Sequence, residues 1–157
     1  EQAPWRASIG EVLISMSIDK GTTHQVLLTC VLLAAVACAG GEGSARVDII
    51  EPADGAVVNS RDVRVVLTAA GVEIASAAEE RSGTAHHHLF IDRPLTQPSD
   101  TIPAGVTGII HLGRGQTEFV LQGLAPGTHS VIAVLADWAH LPLDPLATDT
   151  VRFTVQQ

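Results

Sequence analysis

The chain has 157 residues, 46% of them apolar, which is enough for one hydrophobic core and too little for two. Its formal charge is -8, Lys20 is its single lysine and its arginines form no run, so nucleic acid is a poor partner on charge alone. Val, Ile, Leu, Ala and Thr are plentiful among scattered Gly and Pro, a composition that argues against disorder and for short strands joined by turns.

Residues 1–15 read as a segment upstream of the natural start. From Met16 a polar opening with Lys20 runs into the apolar stretch Val26 to Ala37, the layout of a secretory signal over 16–37 and too short to span a bilayer comfortably. Ala35 and Ala37 fit ordinary signal cleavage, while Leu33 to Cys38 also fits a relaxed bacterial lipobox in which Cys38 takes a lipid. Residues 38–45 then form a lipid anchor and a Gly- and Ser-containing tether. The expected location is periplasmic or on the outer cell surface, as a membrane-anchored lipoprotein. Cys30 leaves with the signal, so the mature protein has no internal disulfide and no Cys-x-x-Cys site.

From Arg46 to the C-terminus the text is a single domain. Arg46 to Ile50 alternates and stops at Glu51-Pro52, and Asp54-Gly55 is a turn. Asp62 to Ala69 is a strand with Val63, Val65 and Leu67 on one face. Gly71 to Ile74 begins a short element, and Ala75 to Ser82 is a loop or a single helical turn. Ala85 to Asp92 is the best strand of the chain. A long connection follows, with Pro98, Pro103, Gly105 and Gly108. Thr107 to Leu112 and Gln116 to Leu121 flank the turn Gly113-Arg114-Gly115, Thr128 to Trp138 is a long strand after the turn at Gly123, and Thr150 to Val155 closes the sheet. Seven or eight strands without an interior helix predict an all-β, immunoglobulin-like or fibronectin-like antiparallel β-sandwich, since a lone amphipathic sheet must bury its apolar face on another.

The chemistry lies in the histidines. Period-two geometry puts His86, His88, Phe90 and Asp92 on one side of their strand and His87, Leu89 and Ile91 on the other. Leu89 and Ile91 mark the core side, so His86 and His88 project together from the outer face or toward an overhanging loop, roughly 7 Å apart along the strand. His87 points inward to pack or to hold a carbonyl. His111, His129, Asp137 and His140 are further candidates. An extended strand separates His129 from Asp137 and His140 by roughly 25 to 35 Å, so they cannot all share one site. The provisional metal cluster is His86, His88, His111 and His140, a donor set that suits copper, zinc or iron better than calcium or magnesium, with copper or zinc taken as the expected ion. The competing reading is a triplet of rings that fixes loops through backbone carbonyls.

Other polar features are weaker. Gly113 to Gln116 lacks the spacing of a phosphate loop and reads as a tight turn. Ser99 with Asp100 has no nucleophile-elbow context. Glu118 is a solvent-facing carboxylate or one of a pair with Asp92, and Trp138 lines a recognition surface or caps the core.

The blocks Pro52 to Ala56, Gly83 to Asp92, His111 to Glu118, Leu124 to His129 and Leu135 to His140, in that order, resemble the bacterial family called domain of unknown function 4399, small exported or lipid-anchored proteins. The family pattern falls here on His86, His87, His88, Asp92, His111, Gly115, Gln116, His129, Asp137 and His140. Phe90 stands where the family carries Leu, and Ala85 where it carries Gly. The resemblance supplies no reaction. The leading expectation is a cell-envelope domain that binds a transition metal through the histidines, for metal handling or as an interaction module with an envelope protein partner. The alternatives are a metal-free structural or protein-binding sandwich and, third, a copper- or zinc-dependent enzyme.

Overall fold

A computed structural model describes residues 43–156. The upstream segment, the signal, Cys38 and all of the tether before Gly43 lie outside the described residues. Within them are nine strands: β1 (Arg46–Glu51), β2 (Val57–Val58), β3 (Val63–Ala70), β4 (Glu73–Ile74), β5 (Thr84–Ile91), β6 (Ile109–Leu112), β7 (Glu118–Leu121), β8 (Gly127–Ala136) and β9 (Thr148–Val155). One sheet has the order β1-β3-β7. The other has the order β2-β9-β8-β5-β4, with β6 also paired to β5. Apart from the two-residue strands β2 and β4, which pair in parallel with β9 and β5, every pairing is antiparallel. The fold is an immunoglobulin-like, fibronectin-like β-sandwich, as the strand count and turn spacing predict.

The sequence explains the layers. On β3, Val63, Val65 and Leu67 are buried while Arg64 and Thr68 are exposed, the alternation of a strand with one wet face. They meet Leu89 of β5, Val131, Ala133 and Leu135 of β8, and Val151, Phe153 and Val155 of β9 in one core between the sheets. Each fully buried Val, Leu or Phe contributes about 1.5 to 3 kcal/mol. On the outer face of the smaller sheet, Arg64 pairs with Glu51 and Glu118. Glu118 is therefore a solvent-facing strand carboxylate and not a partner of Asp92.

Two details differ from the sequence reading, at β2 and β8, and between them one alternative left open there is decided. β2 was not expected, since two residues after the Asp54-Gly55 turn carry no periodicity. Ala75 to Ser82 contains turns and no helical turn, with Ala77 N–H and the Ser76 hydroxyl both donating to Gly113 O. β8 ends at Ala136 and not at Trp138, because Asp137 begins a tight reversal.

The largest correction concerns β5, whose second face does not see water. All of its residues from Thr84 to Phe90 are buried. The long connection after Arg93 and the segment after Asp137 fold over the larger sheet, where Phe90, Ile102, Val134 and Ala136 form a second core packed by Leu95, Ile109 and Ile132. β5 thus lies between two apolar layers, and only the form of the expectation that placed His86 and His88 under an overhanging loop agrees with the fold.

Candidate metal centre

Antiparallel pairing sets the site. His88 stands opposite His111 of β6, and opposite Val134 of β8 on its other side, while His86 pairs with Ala136 at the end of β8. The chain reverses immediately after Ala136 and returns His140 over the same end of the sheet. One coordinating atom from each of His86, His88, His111 and His140 lies within 4.8 Å of the others. His86 Nε2 is 2.9 Å from His88 Nε2, and His140 Nε2 is 3.3 Å from His111 Nε2. Nitrogens this close compete for one proton or share one cation. His86 and His88 are buried, His140 is half-buried and His111 is exposed, so the pair on the central strand forms the floor of the cluster and the other pair its mouth.

Two residues that are not ligands hold the mouth in place. A Cβ on Gly113 would lie 2.2 Å from both Cε1 and Nε2 of His111, so the ring folds back over a backbone that only glycine leaves open. Asp137 holds the other half. Its Oδ1 accepts the N–H groups of Ala139 (2.9 Å) and Leu141 (3.0 Å), and its carbonyl accepts the His140 N–H (2.9 Å). The His140 carbonyl accepts from Ile102 N–H at 2.9 Å. His140 therefore sits at φ 63, a left-handed conformation that costs a non-glycine residue about 1 to 2 kcal/mol and that these four hydrogen bonds offset. Asp137, weighed from sequence as a ligand, is the support of one. Gly113 was read only as part of a turn, and the signal that would have identified it is its spacing, two residues after His111 at the strand end.

The electrostatics favour lone pairs. Burial first, and then the neighbouring histidines, bring the His86 imidazole down to about 4 and the His88 imidazole down to about 3. His111 is lowered by burial and then by His140. At neutral pH these three rings are uncharged, the form that binds a metal. Four imidazole nitrogens with no carboxylate among them suit zinc or copper and lack the oxygens that calcium and magnesium require.

The remaining histidines among the described residues do other work. His87 points into the sandwich and bonds Gln116 O through Nδ1 at 3.1 Å, as an inward ring holding a carbonyl should. Gln116 also accepts the Arg114 N–H through its side chain at 2.7 Å, so it fixes the turn that carries Gly113. His129 lies at the other end of β8, with Nδ1 2.7 Å from Asp92 Oδ2 and Nε2 2.8 Å from Ala125 O. Ser99 donates to Asp100 at 3.2 Å on the surface, ordinary loop polarity, and Trp138 is 42% exposed and caps nothing.

With four of the spaced histidines gathered at one end of the sheet and the family-pattern residues Gln116, His129 and Asp137 each given a structural partner, the comparison of sequences decides the family. The profile described as Domain of unknown function (DUF4399) matches residues 65–156, more than half of the chain. The chain belongs to this family. The family match begins within β3 and takes in every histidine described above. No curated protein sequence matches the chain. Among solved structures it is similar to the fibronectin(III)-like modules of Clostridium thermocellum CbhA, at 15% identity and a TM-score of 0.44 over 71% of this chain and 97% of that one. It is also similar to an engineered protein, at 15% identity and a TM-score of 0.46, over 74% of this chain and 21% of that one.

Proposed function

We propose that this DUF4399 domain is a transition-metal-binding module of the cell envelope that holds copper or zinc through His86, His88, His111 and His140. The observation that carries the reading is the convergence of four imidazole nitrogens from three separate elements within 4.8 Å, with burial keeping the His86 and His88 rings at its floor neutral. Packing alone does not require four histidines to face one another, since neutral rings of this size are replaced by Leu or Phe at lower desolvation cost. The signal-like stretch before Cys38 supports an envelope location, tethered by lipid or released, in which the module stores a metal ion, passes it on, or uses it to fix a surface for an envelope partner.

A metal-free module is the second reading, and two observations favour it. His86 and His88 are near enough to share a proton directly, as are His111 and His140. His88 Nδ1 is buried without a partner, whereas a metal-ligating histidine usually donates its second N–H to an acceptor.

Metal content of the untagged protein and titration of the stripped form with zinc and with copper separate the two. Wild type should bind at least one of them more than about 100-fold tighter than the His86→Ala/His88→Ala protein, since removing first ligands exceeds the 10- to 100-fold loss typical of outer supports. Equal affinity in the two proteins refutes metal binding at this site.

A further inference from the structure

The six distances between the four rings carry more than the presence of a cluster. They are 4.8 Å for His86–His88, 4.9 Å for His86–His111 and for His86–His140, 5.0 Å for His88–His111, 5.6 Å for His88–His140 and 4.8 Å for His111–His140. Four points with six nearly equal separations are the corners of a tetrahedron. A square would give four short distances and two longer by about two-fifths.

The size fits as well as the shape. A nitrogen about 2.0 to 2.1 Å from an ion puts the imidazole centre about 3.2 Å from it, and a tetrahedron of such rings has all its centres about 5.2 Å apart. A square plane of the same rings gives about 4.5 Å between neighbours and about 6.4 Å across. The observed 4.8 to 5.6 Å straddle the first value and reach neither of the second. Two Nε2 pairs lie near the about 3.3 Å that a tetrahedron needs, His111–His140 at 3.3 Å and His86–His88 at 2.9 Å, while the four ligand atoms as a set spread over as much as 4.8 Å and draw together on the ion.

We infer that the centre is a closed tetrahedral site for a d10 cation, zinc(II) or copper(I), and that it disfavours copper(II) and nickel(II), which prefer a tetragonal plane. The inference deepens the proposed metal-binding function and rests on it. The backbone sets the four rings near this arrangement, because His86 and His88 are spaced by the pleat of a strand buried from Thr84 to Phe90, His111 is seated on Gly113 and His140 on the Asp137 reversal; the ion has only to draw the nitrogens together. Four protein ligands complete the tetrahedron. No position is left for a bound water, so the centre holds or transfers a metal and does not activate water as a three-ligand catalytic zinc does. On this assignment the third reading from sequence, a copper- or zinc-dependent enzyme, has no open coordination position at these four residues.

Cobalt(II) is the probe, since its visible absorption is intense in a tetrahedral field and weak in an octahedral one. The full untagged protein loaded with cobalt should give the intense bands at one equivalent, and zinc(II), or copper(I) under a reductant, should abolish them stoichiometrically. Which of the two displaces cobalt at the lower concentration identifies the preferred ion. The His86→Ala/His88→Ala protein should lack the bands. Copper(II) loaded in the same site should show the small hyperfine splitting of a flattened tetrahedron. Weak octahedral cobalt bands, bands that survive in the double variant, or a large tetragonal copper(II) splitting would overturn the tetrahedral assignment while leaving metal binding intact. Failure of cobalt, zinc and copper alike to bind would overturn both proposals.

Discussion

Histidines lie near both ends of β8, and the two ends treat the same side chain in opposite ways. At one end His86 and His88 face His111 and His140 with nitrogen against nitrogen and no carboxylate among them. At the other, His129 has an acceptor on each nitrogen, Asp92 on one side and the Ala125 carbonyl on the other. Both contacts are hydrogen bonds only while the ring carries both protons, a form with no lone pair to offer; Asp92 completes that arrangement by accepting the Ser130 N–H through Oδ1 at 2.7 Å. Burial lowers the His129 pKa, and the Ala125 carbonyl with the Asp92 carboxylate more than reverses it, leaving it raised. A histidine's partners decide whether it latches a fold or keeps a lone pair that an ion could use.

Gly113→Ala tests the ligand end most severely without touching a ligand. The added methyl group displaces the His111 ring, and metal affinity should fall about 10- to 100-fold, as for other supports of metal ligands. The same titration on Gly123→Ala, at a turn where a Cβ meets nothing within 4 Å, should give wild-type affinity. Equal affinities for all three proteins would mean that the ring does not need its seat.

Acid and base should separate the two ends next. In the metal-free protein, the lowered pKa values of His86 and His88 mean that the unfolded chain binds more protons than the folded one below about 6.5, so stability falls as pH drops toward 4 and 3. The raised pKa of His129 has the opposite sign: its contribution is present below its unfolded pKa and is lost as pH rises through the folded value. Thermal melts from pH 4 to pH 9 should therefore lose part of their acid-side slope in His86→Ala/His88→Ala, the lowered His87 and His111 keeping the rest, and part of their alkaline-side slope in His129→Gln. A slope that is the same in wild type and its variant would break the contrast.

The smallest effect belongs to the latch. His129→Gln should cost about 1 to 2 kcal/mol, the value of a partly buried hydrogen-bonded group, and leave zinc or copper affinity within about twofold. Denaturant melts and the metal titration read the two quantities separately. A loss of affinity here would show that the ends are coupled.

Much of this was legible in the sequence because strands have a period of two. Alternation at Val63, Val65 and Leu67, the Pro and Gly stops and the strand count were enough for the sandwich, and the split of His86 and His88 from His87 follows from the pleat whatever the sheet does. Phe90, an aromatic residue on the same side as the two histidines, already signalled that this side is covered. The period does not say by what.

What the sequence determined by itself was therefore local: which residues share a face, where the chain turns, and that the charge is wrong for nucleic acid. Tertiary structure alone decided that β6 and the reversal after Ala136 bring His111 and His140, 29 residues apart, to the same end of β5. It also decided that Gly113 and Asp137 seat them and that the four rings stand at tetrahedral distances. The reason is physical: pleating acts between neighbours along one strand, whereas the meeting of separate strands and loops is set by register and by the second apolar layer, quantities that no short stretch of sequence contains.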